Sequence, residues 1–275
     1  MNRTRRRFDD GTTAHGPTGL DAYKPSEIAR LIEEAGVRKA NLPLLSLFAL
    51  GCLAGAFIAL GALFQLAVLA GADPDFGPTR FLAGTAFSLG LILVIVGGAE
   101  LFTGNALLVM AWVDGLIGAR AVARNWLIVY VSNFLGALAI LALVWLSGLH
   151  AGSLASPASE IATRKLALEP MELFARGALC NVFVCLAVWL SFAARGAAGK
   201  VLVIVPPIAA FVALGLEHSI ANMFLLPLGA LAGAPFDVGG FATNLLWVTL
   251  GNMAGGGGGV ALSYWAAYRN PAKRA

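Results

Sequence analysis

Three stretches of this chain hold no Asp, Glu, Lys or Arg: residues 41–72, 125–159 and 238–268. Each exceeds the ~20 apolar residues that carry a helix across a bilayer. The 275 residues are 59% hydrophobic and 12% charged, whereas a soluble domain carries about 25% charged residues. A transmembrane barrel would instead alternate in segments of about ten residues. The sequence therefore predicts an all-α membrane protein of six transmembrane helices, at 42–70, 81–112, 126–148, 171–194, 201–230 and 241–268. Helices 2 and 5 of that set are over-long and interrupted by polar residues, which predicts that both are broken.

Orientation follows from lysine and arginine. With the N-terminus inside, all of the 19 except Arg80, Arg164, Lys165 and Arg176 fall in or near inner segments. That asymmetry puts both termini in the cytoplasm. The net charge of +4 is then a topology signal, and nucleic acid is not an expected partner. The expected organisation is a cytoplasmic tail and amphipathic helix (1–40), a transmembrane channel domain (41–270) and a cytoplasmic C-terminus (271–275).

Several features carry no function. Cys52, Cys180 and Cys185 sit in apolar spans without metal-ligand spacing and are expected to be buried small hydrophobes. No cofactor or metal is expected. Residues 4–8 imitate a twin-arginine export signal, but no apolar region follows before residue 42, so the segment is a basic tail. Asn270-Pro271-Ala272, the water-channel tripeptide, falls after the last span. Residues 1–22 are polar and expected to be disordered.

Pro25 and Ser26 open a short helix, with Ser26 as N-cap, Glu27, Glu33 and Glu34 exposed, and Gly36 as the stop. Its apolar face (Ile28, Leu31, Ile32, Ala35) is expected on the membrane surface or under the bundle. A long outer loop is expected at about 149–170. Gly51 and Gly55, and again Gly251, Gly255 and Gly259, are spaced as packing seams.

The chemistry concentrates in Glu217-His218-Ser219-Ile220-Ala221-Asn222. No charge occurs in 201–216 or 219–236 around it. Ionisable groups there must face protein or water, and they mark a functional site by default. A second interruption, Ala99-Glu100-Leu101-Phe102-Thr103-Gly104-Asn105, breaks span two, with Gly97, Gly98 and Gly104 to release the backbone. Glu100 precedes Asn105 by five residues, as Glu217 precedes Asn222. Each break is followed in the next span by Asn-x-x-Gly, at Asn133 and Asn252. Three spans per half with this echo predict inverted repeats, with a solute site at their interface. Glu100, Glu217, Asn105 and Asn222 are expected to be structural at the breaks, the two carboxylates capping free N–H groups. An intramembrane hydrolase is disfavoured. Ser219 adjoins His218, but neighbours on a helix point about 100° apart, and no Gly-x-Ser-x-Gly occurs.

From Lys24-Pro25 to the end of span six the chain resembles the formate/nitrite transporter family. The residues that carry the resemblance are Phe87-Ser88-Leu89-Gly90-Leu91, Ala99 to Thr103, Asn181 with Val184-Cys185-Leu186-Ala187-Val188-Trp189, Glu217 to Phe224, and Gly251-Asn252. The resemblance implies an aquaporin-like fold, a homopentamer in a bacterial inner membrane with one pore per protomer, and small monovalent anions as substrates: formate, nitrite, hydrosulfide, sometimes acetate or lactate. It implies that His218 is the central pore histidine and Thr103 its partner. It implies an outer constriction of Phe87, Leu91 and Phe211, an inner side of Leu101 and Phe102, polar contacts from Asn181 and Asn252, and Lys165 as an outer vestibule lysine. Gly104-Asn105 stands where formate-channel relatives often carry small hydroxyl residues. A neutral-solute channel is the nearest rival, though it suits a central histidine poorly.

Overall fold

The computed structural model describes residues 21–269. Among the described residues every regular element is helical, and there is no strand. The polar tail up to residue 20, including residues 4–8, and Asn270-Pro271-Ala272 lie outside them.

Five helical stretches are long and apolar enough to cross a membrane. They are α2 (Leu44–Leu69), α3 (Gly77–Gly97), α5 (Ala119–Leu146), α7 (Pro170–Ala193) and the continuous Val238–Tyr268. The last comprises α10 (Val238–Met253), a π-helical segment (Ala254–Ala261) and α11 (Leu262–Tyr268). The stretch 81–112 runs through α3 into a 3-10 turn (Gly104–Leu107) and α4 (Leu108–Val113). The stretch 201–230 is divided between α8 (Ala197–Ala213) and α9 (Ser219–Leu231). Two amphipathic helices, α1 (Pro25–Ala40) and α6 (Ala155–Leu166), complete the set with a short 3-10 turn at Leu149–Ala151.

α3 and α8 end by the same device. Gly98 and Gly215 adopt φ of 83° and 66°, which a residue with a Cβ rarely reaches. The next N–H in each case, of Ala99 or Leu216, reaches back five residues to the carbonyl of Val94 or Phe211. This Schellman closure satisfies carbonyls that the helix end would otherwise leave bare. Gly97 and Gly104, expected to share the task, do not have positive φ.

In lipid the helices gain little from burying apolar surface against each other, so close backbone packing must hold them. α2 packs on α5, and α7 on α10, through glycine. A Cβ added at Gly55 would overlap the Asn133 carbonyl, and one at Gly136 the Cys52 carbonyl. In the other pair, Gly251 meets the Phe174 carbonyl and Gly255 that of Ala178. The expected seam stops there. Gly259 is exposed, because the π turn rotates the register and brings Gly256 inward instead, against Asn181, Ala106 and Cys185. Gly255→Ala should cost about 1–3 kcal/mol through overpacking, while Gly258→Ala, with open space around it, should be neutral or slightly stabilising. Thermal midpoints of the two detergent-solubilised variants check this; equal midpoints would remove the seam argument.

The N-terminal helix differs from expectation in three details. Its first residue is Pro25, and Glu27 reaches back to accept the Lys24 N–H at 2.8 Å, so Ser26 is not the cap. Gly36 does not stop the helix; it is buried, and a Cβ there would meet Ala111 Cβ at 3.2 Å. Glu33 is buried and paired with Arg269. The apolar face packs under the bundle, Ile28, Ala29 and Ile32 joining Met110, Trp189 and Val260. The stretch 149–170 is not a loop: α6 packs on α9 much as α1 packs on α4.

Candidate functional site

The two interrupted stretches organise two polar clusters that match in all but one bond: Lys39 Nζ also donates to Asn105 Oδ1 at 3.0 Å, whereas Asn222 Oδ1 is buried without a partner. In the first, Lys39 Nζ at the end of α1 donates to Glu100 Oε1 at 2.8 Å. Asn105 Nδ2 donates to Glu100 Oε2 at 2.8 Å and to Asn125 Oδ1 at 2.9 Å, and Asn125 Nδ2 returns to the Lys39 carbonyl at 3.2 Å. In the second, Lys165 Nζ at the end of α6 donates to Glu217 Oε1 at 2.8 Å. Asn222 Nδ2 donates to Glu217 Oε2 at 2.7 Å and to Asn244 Oδ1 at 2.8 Å, and Asn244 Nδ2 returns to the Lys165 carbonyl at 3.1 Å.

The asparagines of Asn-x-x-Gly hold the irregular backbone. Asn133 Nδ2 donates to the carbonyls of Gly51 and Glu100, and its Oδ1 accepts the Phe102 N–H at 3.0 Å. Asn252 Nδ2 donates to the carbonyls of Gly177 and Glu217, and its Oδ1 accepts the Ser219 N–H at 2.9 Å. Buried backbone groups without such partners would each be costly. Here two side chains do the work that a continuous helix does elsewhere.

The carboxylates therefore do not cap backbone N–H groups, as the sequence suggested. Glu100 and Glu217 are neutralised by lysine, and the side chains that take backbone N–H bonds are Asn133, Asn252 and His218. Sequence reasoning missed Lys39, Asn125, Asn244 and Gly215. Signals existed: Arg-Lys closes each amphipathic helix, and Asn125 and Asn244 each stand eight residues before Asn133 and Asn252.

The halves differ where His218 stands. Counting from the paired glutamates, its counterpart is Leu101, and that of Thr103 is Ile220. His218 Nδ1 accepts the Ala221 N–H at 3.1 Å, capping α9. A ring nitrogen that accepts carries no proton, so the proton of the neutral ring sits on Nε2. That N–H donates to Thr103 Oγ1, 2.9 Å away, and leaves the threonine hydroxyl proton to seek another acceptor. Both residues are buried. Asn181 Nδ2 holds the same segment by donating to the carbonyls of Thr103 at 3.2 Å and Asn252 at 2.6 Å; its Oδ1 is buried without a partner.

Two cavities lie near this contact, the first reaching His218 and the second Gly104, next to Thr103. One, of about 320 Å³, is lined by Phe87, Phe211, Lys165, Glu217 and His218. The other, of about 440 Å³, is lined by Leu91, Leu101, Lys39, Glu100, Gly104 and Asn105. Phe87 and Phe211 stand edge to face, centroids 5.5 Å apart, and the Phe211 ring lies 6.0 Å from the imidazole. Leu91, expected with these phenylalanines, lines the opposite cavity, four residues and one helical turn along α3 from Phe87. Phe102, expected beside Leu101, lines neither cavity: its ring packs edge-on against Trp126 and Tyr130 of α5. Lys165, expected as a vestibule lysine, lines the first cavity, but its side chain is only 14% exposed and ion-paired with Glu217. Ser219 Oγ has no hydrogen-bond partner, His218 included. Among the described residues no group of His, Cys, Asp and Glu is placed to hold a metal.

One cavity at His218 and another at Gly104, next to Thr103, inside an apolar helical bundle are the arrangement expected of a membrane transport protein. The chain belongs to the formate/nitrite transporter family: the family model described as "Formate/nitrite transporter" matches residues 26–266. It is 40% identical to the formate channel FocA of Escherichia coli (strain K12), over 90% of this chain and 95% of that one. It is 44% identical to the uncharacterized transporter YrhG of Bacillus subtilis (strain 168), over 89% and 93%. Among solved structures it is similar to one titled "Pentameric formate channel with formate bound", with a TM-score of 0.76, 37% identity, and 82% of this chain and 98% of that chain covered. A structure titled "FNT family ion channel" matches with a TM-score of 0.82 at 31% identity, covering 88% and 99%.

Proposed function

We propose that the protein is a channel or transporter for small monovalent weak-acid anions, formate first and nitrite next, that lets them pass His218. The observation that carries this is the His218–Thr103 contact between the two cavities. The similarity to formate channels supports the substrate class. Six crossings in two inverted repeats are proposed, with α3–α4 forming one broken crossing and α8–α9 the other. The repeated hydrogen bonds of the two clusters support that arrangement. A homopentamer in a bacterial inner membrane, with both termini cytoplasmic, accords with the lysine and arginine distribution and with the pentameric relative. On this orientation the cavity lined by Lys165 is the outer one, and the protein is no enzyme.

In the passage, a bare anion between Phe87 and Phe211 loses its water and faces a large desolvation cost, which a weak acid escapes by taking a proton. His218 is a hydrogen-bond donor in this scheme rather than a proton donor. Its Nε2–H is already the proton of a neutral ring, and a second proton on Nδ1 would displace the Ala221 N–H. The proton therefore comes with the solute from the water side. Thr103, with a free hydroxyl proton, and Asn181 Oδ1 supply further polar contacts. Asn252 acts by holding the backbone on either side of the imidazole. Lys165, ion-paired with Glu217, lines the outer cavity.

The test is a panel of formate, nitrite, hydrosulfide, acetate and lactate on reconstituted protein across pH, with His218→Asn beside the parent. Asparagine keeps an N-cap acceptor but withdraws the Nε2 donor. Loss of one such hydrogen bond should cut flux roughly ten- to a hundredfold. Flux and pH response like the parent's would end the role given to the imidazole. Swelling of proteoliposomes in glycerol but not in ammonium formate would favour the neutral-solute alternative.

A further inference from the structure

The charge around the outer cavity is not where the sequence placed it. Lys165 is held by Glu217 at 2.8 Å, so that pair contributes little net charge. The other charged groups lining the cavity are Asp75, Arg80, Arg164 and Arg176. Two of these arginines converge on one residue from different helices. Arg176 Nη1, from α7, donates to the Gly215 carbonyl at 3.4 Å. Arg80 Nη2, from the first turn of α3, lies 3.9 Å from where a Cβ on Gly215 would sit. Among the described residues no carboxylate pairs with Arg80, and Arg176 meets only Glu172, at 3.9 Å on the exposed side of its own helix. Gly215 lies at the break of α8, two residues before Glu217.

Two guanidinium groups that approach the same glycine in one cavity attract an anion, and a planar fork of donors matches a carboxylate. From this we infer that Arg80 and Arg176, both beside Gly215 in the lining of one cavity, form a carboxylate-binding station at the mouth of the outer cavity. It would hold formate, or another small monocarboxylate of that shape, before the solute reaches Phe87, Phe211 and His218. Asp75 lines the same cavity and sets an opposing charge against anions that do not seat between the arginines. The inference rests on the proposed anion transport and adds the place where the anion first binds.

The experiment measures initial formate uptake against concentration. It uses full-length protein in phosphatidylcholine vesicles at low and high ionic strength, for the parent, Arg80→Gln and Arg80→Lys. At low salt Arg80→Gln should raise the half-saturating formate concentration roughly tenfold. Arg80→Lys, which restores the charge without the fork, should recover part of that, and the differences should shrink near 1 M salt, where the screening length is about 3 Å. An unchanged half-saturation in Arg80→Gln would overturn the station, as would full recovery by lysine, which needs no fork. Repeating the series with anionic lipid separates the other source of the same chemistry. An effect seen only with anionic lipid would assign the arginines to headgroup phosphates and end the proposal. A parent protein that carries no formate would instead sink the proposed function, so the two failures are distinct. Arg80→Lys keeps the test usable if glutamine prevents assembly.

Discussion

Lys165→Met should destabilise the detergent-solubilised protein by about 3–5 kcal/mol, because it strands a buried carboxylate. Glu217 is 2% exposed and its lysine 14%, so water cannot take over the lost partner. The matching change Lys39→Met should cost less. Glu100 and Lys39 are 7% and 30% exposed, and a more exposed pair is worth less. The double variant Lys165→Met with Glu217→Gln should regain much of the loss. It removes the orphan charge, and a glutamine oxygen still accepts from Asn222. Thermal unfolding followed by loss of folded protein on size exclusion measures all three. A Lys165→Met midpoint level with that of the parent would mean that the ion pair does not hold α6 to the α8–α9 break.

Asn252→Ala is the second large effect expected. The substitution deprives the Gly177 carbonyl, the Glu217 carbonyl and the Ser219 N–H of their side-chain partner at once. Each buried group left so costs about 1–3 kcal/mol, and the sum should lower the midpoint by roughly ten degrees. Asn133→Ala should do the same through Gly51, Glu100 and Phe102. The two differ in function. Asn252 holds the backbone on both sides of His218, so its variant should also lose formate flux in whatever protein still folds. Asn133 holds the backbone on either side of Leu101. A normal melting curve for either variant would show that water or a relaxed backbone replaces the amide.

The site was partly legible because polar groups in an apolar run are too costly to be incidental. Glu100, Asn105, Glu217, His218 and Asn222 stood out on that ground, and all lie at the breaks. Pairwise roles were less legible. Lys39 looked like a surface charge and Lys165 like a vestibule charge, because a sequence cannot show that an amphipathic helix turns a lysine near its end onto a buried carboxylate. Phe102 looked like its neighbour Leu101, yet adjacent residues on an irregular segment face different ways. Gly259 fitted a four-residue period that holds for an α-helix and fails once the chain winds as a π-helix. Arg80 and Arg176 are 96 positions apart in the sequence, and only packing brings them together.

The sequence by itself determined that this chain is a bundle of membrane helices, that two of its apolar stretches are interrupted, and to which family it is similar. Charge-free length and the cost of polar groups in hydrocarbon act through composition and spacing alone. The tertiary structure decided which lysine neutralises which glutamate, which nitrogen of His218 carries the proton, and which apolar side chains line each cavity. These depend on distances between residues far apart in the chain, and such distances exist only after the helices have packed.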